Sequence, residues 1–495
     1  MRTWLPLFGL IMAGVAGCND RPPVEARPDA GRPASERIPC VRSVSPASGR
    51  IGTEITLAGE FGDVPVPIVF SKNFDDPGTQ VVARSWSPTQ VVVSVPVLNY
   101  ASWRVHALGG CEVFTPSLFQ VIPPPRIYVN NNANNADGVN TITTLAYDAA
   151  TGALTPMGPP TPTGLPASHQ QGYTRSLQLF LRSPPRLYVS SDTGVAVLDI
   201  DLETGVPRPS SIGPTFPSGS TGGADLFYSI GAYFWAATDD GIVTWRVSGA
   251  YELIGRGKVS TAAARSMALF GDRPSQVYAT RGDGTFDAWS ATYPSTGDGR
   301  IPQPVLTPLN GSPFGAPASG TTSSSIGLLP RRNDSSLVYV TSSAGLGVWK
   351  IDNGARTATE LHGSPFALTP PSGALGRPLF VGAATGRTGQ AIYMAAEGSG
   401  NLVGATLDPD GVPTQVAGSP WNFAPDLTNI SCATVVTSAT SGSLRLIVTD
   451  AGNHRIGVFD AARGAVKPVP VPGSPFPLTD TPSELASGIA VLGAP

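Results

Sequence analysis

The tetrapeptide Gly-Ser-Pro-Phe occurs at Gly311–Phe314, Gly363–Phe366 and Gly473–Phe476, with Gly-Ser-Pro-Trp at Gly418–Trp421. Successive copies lie 52, 55 and 55 residues apart. A catalytic motif is needed once, so a near-constant period points to a repeated architectural unit. A second repeat shares the period. Seven short apolar strands begin at Arg126, Arg186, Tyr233, Gln276, Leu337, Ala391 and Arg445. Their third residues are Tyr128, Tyr188, Trp235, Tyr278, Tyr339, Tyr393 and Ile447. The mean interval, about 53 residues, is that of a propeller blade.

Each strand is followed by another, as in "GVAVLDID" and "GLGVWKID", and most of these run into an Asp/Gly turn, at Asp148, Asp201, Asp352, Asp408 and Asp460. Asp and Gly tolerate the left-handed backbone of such turns and can bond it locally. An inner-strand candidate precedes six of the seven: "RSLQLF" (Arg175), "ADLFYS" (Ala224), "RSMALF" (Arg265), "SSIGLL" (Ser324), "GRPLFV" (Gly376) and "SCATVV" (Ser431). The first repeat lacks one, because Pro123–Pro125 stands in its place, and the missing copy appears at the C-terminus as "SGIAVL" (Ser487–Leu492). The expected fold is therefore all-β: a seven-bladed β-propeller over residues 126–495, closed by the C-terminal strand, which leaves no open sheet edge. The Gly-Ser-Pro copies are expected as punctuation between blades, the aromatic residue packing back after the ladder breaks.

The 57 glycines and 50 prolines are spread along the chain between Val/Ile/Tyr/Thr runs, as in an all-β protein rich in turns. Only 14% of residues are charged and the net charge is −3, which excludes nucleic acid as the main partner. At the N-terminus, Arg2, the apolar run Trp4–Val15 and "VAGC" (Val15–Cys18) read as a signal peptide over residues 1–17, too short for a membrane span of roughly 20 residues. The "VAGC" ending resembles the bacterial lipobox. That resemblance implies cleavage before Cys18, its lipidation, and a cell-envelope protein held on a membrane through the lipidated N-terminus. Asn19 after the cysteine points to the outer membrane. Residues 18–38, Pro-rich and without apolar period, are expected as a tether.

From residue 39 to 122 short alternating strands with turns every 8–12 positions read as an immunoglobulin-like β-sandwich. The stretches "SVSPASGRIGTEITLAGEFG" and "WSPTQVVVSVP" resemble the IPT/TIG family, whose role is spacing or protein interaction. Cys40 near the first strand and Cys111 near the last form a candidate disulfide, and Cys432, in an apolar run, a buried free thiol.

The lines "TITTLAYDAATGALTPMG" (Thr141–Gly158) and "VYVTSSAGLGVWKID" (Val338–Asp352), with the Gly-Ser-Pro copies, resemble the bacterial propeller lactonases and their YncE-like surface relatives. "VTDAGNHRIGVFD" (Val448–Asp460) resembles an NHL repeat, another propeller unit common in binding platforms. The lactonase resemblance implies hydrolysis of an anionic sugar lactone such as 6-phosphogluconolactone. The inner-strand alignment puts Arg175 and Arg265 level at one channel rim, with Asp225 and Arg377 one residue later and Asn429 beside the sixth inner strand. Arginines there could hold a phosphate or carboxylate bidentately. The histidine that the lactonase family commonly places before an inner strand has no counterpart; that stretch carries Asn429 and Ser431. The four histidines, His106, His169, His362 and His454, have no metal-ligand spacing, so no metal and no cofactor are expected. Asp-Gly turns explain "TDDG" (Thr238) and the "RGD" at Arg281, and there is no "GxSxG". Two functions follow: a propeller that binds a protein or glycan ligand without catalysis, and a lactonase-type hydrolase.

Overall fold

A computed structural model describes residues 38–493 except 74–75, 111–117, 132–137, 167–176, 182–183, 192–193, 211–214, 218–224, 230–232, 239, 248–252, 261–263, 265, 271–274, 282–284, 295–302, 316–322, 331–334, 343–344, 353, 369–377, 387–388, 397–398, 438–443, 462–466 and 479–485. Cys18, Cys111, Arg175, Arg265 and Arg377 lie outside the described residues. Every regular element among the described residues is a strand, so the chain is all-β.

The amino-terminal strands form two sheets of four and five strands. Alternation sets their inner faces. Ile55, Leu57, Val91 and Val93 from one sheet and Phe70, Trp103, Val105 and Phe119 from the other share a single core, each 6% exposed or less. The polar end of each indole is satisfied, Trp103 Nε1 donating to Asn99 O and Trp86 Nε1 to Gly62 O, both at 3.0 Å.

From Arg126 onward the described strands form seven sheets in succession, numbered here 1 to 7, with a propeller-like arrangement. Sheet 1 runs Ala486–Leu492, Arg126–Asn131, Val139–Tyr147 and Leu154–Pro156, so the last strand of the chain pairs antiparallel with Arg126–Asn131. The first strands of sheets 2 to 7 are Leu177–Phe180, Asp225–Ser229, Met267–Phe270, Ser323–Pro330, Pro378–Gly386 and Ile430–Thr437. Each touches the next, and the cycle returns through Ala486–Leu492 to Leu177–Phe180. Pairing both sides of Arg126–Asn131 removes what would be an exposed edge.

The two sequence repeats are one device seen twice. The third residue of each second strand, from Tyr128 to Ile447, is at most 1% exposed. The Tyr128 hydroxyl crosses to sheet 2 and donates to Gly205 O at 2.6 Å, in the Asp201 turn. Tyr339 of sheet 5 does the same to Gly411 O in the Asp408 turn of sheet 6, at 3.3 Å. At these two joints the turn carbonyl satisfies a buried phenol; Tyr278 instead donates to Gln276 Oε1 of its own strand, and the buried Tyr393 hydroxyl has no hydrogen-bond partner.

The Gly-Ser-Pro copies sit within the outer edge of their own sheets, before the chain crosses over. Each glycine has positive φ, from 78° to 90°, and each Ser-Pro bond is cis. The serine hydroxyls accept from third-strand amides: Ala288 N to Ser312 Oγ, Val348 N to Ser364 Oγ, Gly404 N to Ser419 Oγ and Val458 N to Ser474 Oγ, at 2.9–3.1 Å. The aromatic residue then rejoins the same third strand, Phe314 opposite Phe286, Phe366 opposite Leu346, Trp421 opposite Leu402 and Phe476 opposite Ile456. The motif carries the outer edge through a break while its serine pairs one amide of the third strand.

The amino-terminal sheets are docked, not loose. Tyr100, 9% exposed, donates to Leu202 O at 2.8 Å, and its ring shares a core with Leu187, Leu198 and Ile200 of sheet 2. Arg126 Nε donates to Thr204 O at 2.7 Å. The Asp201 turn is thus held from three directions, by Tyr100, Arg126 and Tyr128.

Candidate functional site

The first strands line the centre of the ring, and their upper ends form the candidate site. Asp225 opens its strand opposite Ala237, two residues beyond Trp235. In sheet 6 that row holds Leu379, opposite Ala395, because a bulge between Phe380 and Gly382 shifts the register. Arg377 lies outside the described residues. With Arg175 and Arg265 outside the described residues, the structure brings together no arginine pair at this rim.

Asn429 precedes the strand Ile430–Thr437 and is half-buried. Its neighbour is Asp450, fully buried at the end of the second strand of sheet 7, Leu444–Asp450. The Asp450 carboxylate accepts from Thr428 N (2.9 Å), Asn429 N (2.8 Å), Gly452 N (2.9 Å) and Asn453 Nδ2 (2.9 Å). Four donors around one buried carboxylate hold the chain where it enters the inner strand, and they leave that group no free lone pair for chemistry. Gly452 is required by this packing, since a Cβ there would stand 2.6 Å from Thr428 Oγ1.

Level with Asp225 lies a feature that the sequence reading missed. Ser266, Ser325 and Ser431 of the inner strands face Thr280, Thr341 and Thr449 of the second strands, all at most 3% exposed. Ser266 N donates to Thr280 Oγ1 (3.1 Å), Thr341 Oγ1 to Ser325 O (3.3 Å), and Ser431 Oγ lies 3.0 Å from Thr449 Oγ1. Ser266 Oγ also accepts from Ile326 N of the next inner strand at 3.3 Å, linking sheet 4 to sheet 5. The signal was available: a serine opens most inner strands, and a threonine closes several second strands. These hydroxyls are buried and committed to backbone partners, so they serve the ring.

Along the described inner strands, ionisable carboxylates are represented by Asp225 alone, and Lys, Arg and His are absent. Leu179, Phe270, Leu328 and Val435 are partly exposed and pack against the neighbouring cores. Arg281 of the "RGD" triplet is engaged, its Nε and Nη2 gripping Asp287 at 2.5 and 2.6 Å in a bidentate pair. Cys40 is disulfide-bonded, and Cys432 is free and buried.

A scan against protein-family models matches none, and no curated protein is similar in sequence. Solved structures do match in shape. A protein of Lactobacillus plantarum superposes with a TM-score of 0.50 at 12% identity, covering 74% of this chain and 99% of its own. A candidate 6-phosphogluconolactonase of Bacteroides uniformis superposes with a TM-score of 0.52 at 12% identity, covering 74% of this chain and 100% of its own. At such identity the likeness is one of fold: the chain shares the lactonase-like propeller architecture.

Proposed function

We propose that this chain is an extracytoplasmic, lipid-anchored protein whose ring is a seven-bladed propeller serving as a binding platform for a protein or glycan ligand. The observation that carries this reading is the chemistry of the inner strands. Along the described inner strands Lys, Arg and His are absent, and Asp225 is the one carboxylate. Lactone hydrolysis needs a positioned base and a charged clamp at the reacting carbonyl, and the described inner strands carry one carboxylate and no cation. On this reading residues 39–122 are an immunoglobulin-like IPT/TIG module, docked through Tyr100, and residues 18–38 are the tether from lipidated Cys18.

The disulfide at Cys40 favours an oxidising compartment. Cys111 is its proposed partner, because Gly110 packs against Pro39, where an added Cβ would meet Pro39 O at 2.4 Å. The second reading, a lactone hydrolase, is favoured by the fold shared with the Bacteroides uniformis protein and by Arg175 and Arg265 in the sequence. The test is hydrolysis of 6-phosphogluconolactone by residues 19–495 purified without lipid. The expected result is no turnover above the spontaneous rate by a folded protein. Turnover that falls in Arg175→Ala or Arg265→Ala would replace the platform with the hydrolase.

A further inference from the structure

The amino-terminal sheets have two ends, and the ring meets one of them. Ser102–Ala107 pairs antiparallel with Leu118–Val121, so Ser102 and Val121 share the near end and Ala107 lies at the far one. At the near end Val121 N donates to Ala101 O (2.9 Å) and Ile122 N to Gly49 O (3.0 Å). The chain then passes through Pro123–Pro125 into Arg126–Asn131. Three successive prolines fix φ and make that link stiff. At the far end Leu108 N donates to Pro67 O at 2.8 Å, and a Cβ on Gly110 would collide with Pro39 O. Pro39 follows directly on the Pro-rich segment 18–38, so that segment joins these sheets at the end remote from the ring.

The ring has two faces as well. Inner strands begin and second strands end on the upper face, where Asp225 and Asp450 stand. Third strands run down into the Asp turns, so Asp201–Gly205 lies on the base. The amino-terminal sheets meet the base. Tyr100 reaches Leu202 O, and Tyr100 and Phe119 share one buried core with Leu187, Leu198 and Ile200 of sheet 2. Pro123 and Pro124 crowd Gly493, at the lower end of the last strand, where a Cβ would stand 2.8 and 3.0 Å from their carbonyl oxygens. We infer that the amino-terminal sheets are an end-on spacer, which holds the ring by its base and presents the upper rim away from the tethered end. The inference rests on the lipid-anchored platform reading and adds the direction of its ligand. That ligand reaches the rim from the side away from the anchoring membrane, in solution or on a facing surface, while the base at sheets 1 and 2 is covered. Ser102–Ala107 and Arg126–Asn131 have 6 residues each, so spacer and ring each add about 20 Å at roughly 3.3 Å per residue.

Three exposed positions mark the levels: Leu108 at the far end of the spacer, Glu203 on the base, and Pro166 on the upper face of sheet 1, opposite Val139. Leu108→Cys, Glu203→Cys and Pro166→Cys are made singly in the full lipidated chain, in which Cys432 is buried and Cys40 disulfide-bonded. Each carries a donor dye, and phosphatidylcholine vesicles carry an acceptor lipid in the outer leaflet. The expected result is energy transfer that falls from Leu108→Cys through Glu203→Cys to Pro166→Cys. Equal transfer from Glu203→Cys and Pro166→Cys, or more from Pro166→Cys, overturns the inference. The same substitutions, spin-labelled in pairs on residues 19–495, give the distances without a membrane. The separation of Leu108→Cys from Pro166→Cys is expected to exceed that from Glu203→Cys by about 20 Å, one strand length, with a narrow distribution for each. Equal separations, or broad distributions, overturn the spacer. Lipidated chain that does not associate with the vesicles refutes the anchor alone, and the pair distances then decide the spacer.

Discussion

Tyr128 and Gly205 are 77 residues apart in sequence, and the hydroxyl of the first donates to the carbonyl of the second at 2.6 Å in a buried site. With the matching Tyr339–Gly411 bond, it gives the second-strand tyrosine and the Asp/Gly turn a shared role at two of the joints between neighbouring sheets. Tyr128→Phe removes the donor and orphans a buried carbonyl, so a loss of about 1–3 kcal/mol is expected in denaturant unfolding. Tyr339→Phe, acting on a 3.3 Å bond, is expected to cost less.

Tyr100 ties the amino-terminal sheets to the ring through Leu202 O. Tyr100→Phe keeps the ring of the side chain in its shared core and loses one hydrogen bond, about 1 kcal/mol. Tyr100→Ala also opens a cavity, for which about 3–5 kcal/mol is expected. Calorimetry is the check: the parent melts in one transition, and the alanine variant shows an earlier, separate transition of the amino-terminal sheets.

The serine of each Gly-Ser-Pro copy serves one strand amide. Ser364→Ala leaves Val348 N–H without its acceptor at 3.0 Å, which costs about 1–3 kcal/mol. Gly363→Ala must hold φ near +90° with a Cβ, adding roughly 1–2 kcal/mol of backbone strain. Both are read from thermal melts, and neither changes ligand binding at the ring centre, since the motif lies on the outer edge.

Asp201 carries a pH signature. Burial alone would raise its pKa, but the amides of Thr204 and Glu203, the Thr204 hydroxyl and Arg208 hold the carboxyl below its ordinary value. A depressed folded pKa contributes stability that is present above the unfolded carboxylate pKa and lost as pH falls through the folded one. Unfolding free energy is therefore expected to drop between about pH 5 and pH 2, and Asp201→Asn is expected to flatten that slope. A variant with the parent's full acid slope would show that the turn does not carry it.

The fold was legible where periodic chemistry repeats. The third-residue aromatics, the Asp/Gly turns and the displaced inner strand Ser487–Leu492 each announced an element, and Ala486–Leu492 does pair with Arg126–Asn131. The position of the Gly-Ser-Pro break within the outer edge was not legible, because the sequence does not say which strand the aromatic rejoins. The bulge between Phe380 and Gly382 was not legible for a similar reason: it adds a residue that no local pattern marks. The serine–threonine belt was passed over because single hydroxyl residues are common in strands and only register makes them a ring. Asn429 was read as a rim group, and its backbone turns out to be fastened to buried Asp450.

Closure of the ring by the C-terminal strand is the claim on which the rest depends. The direct measurement is equilibrium unfolding of residues 19–495 beside the same chain truncated before Pro482. With Ala486–Leu492 gone, Arg126–Asn131 has an unpaired edge, and the truncated ring is expected to lose its cooperative transition or to melt at a much lower temperature. An unchanged, cooperative melt of the truncated chain would contradict closure.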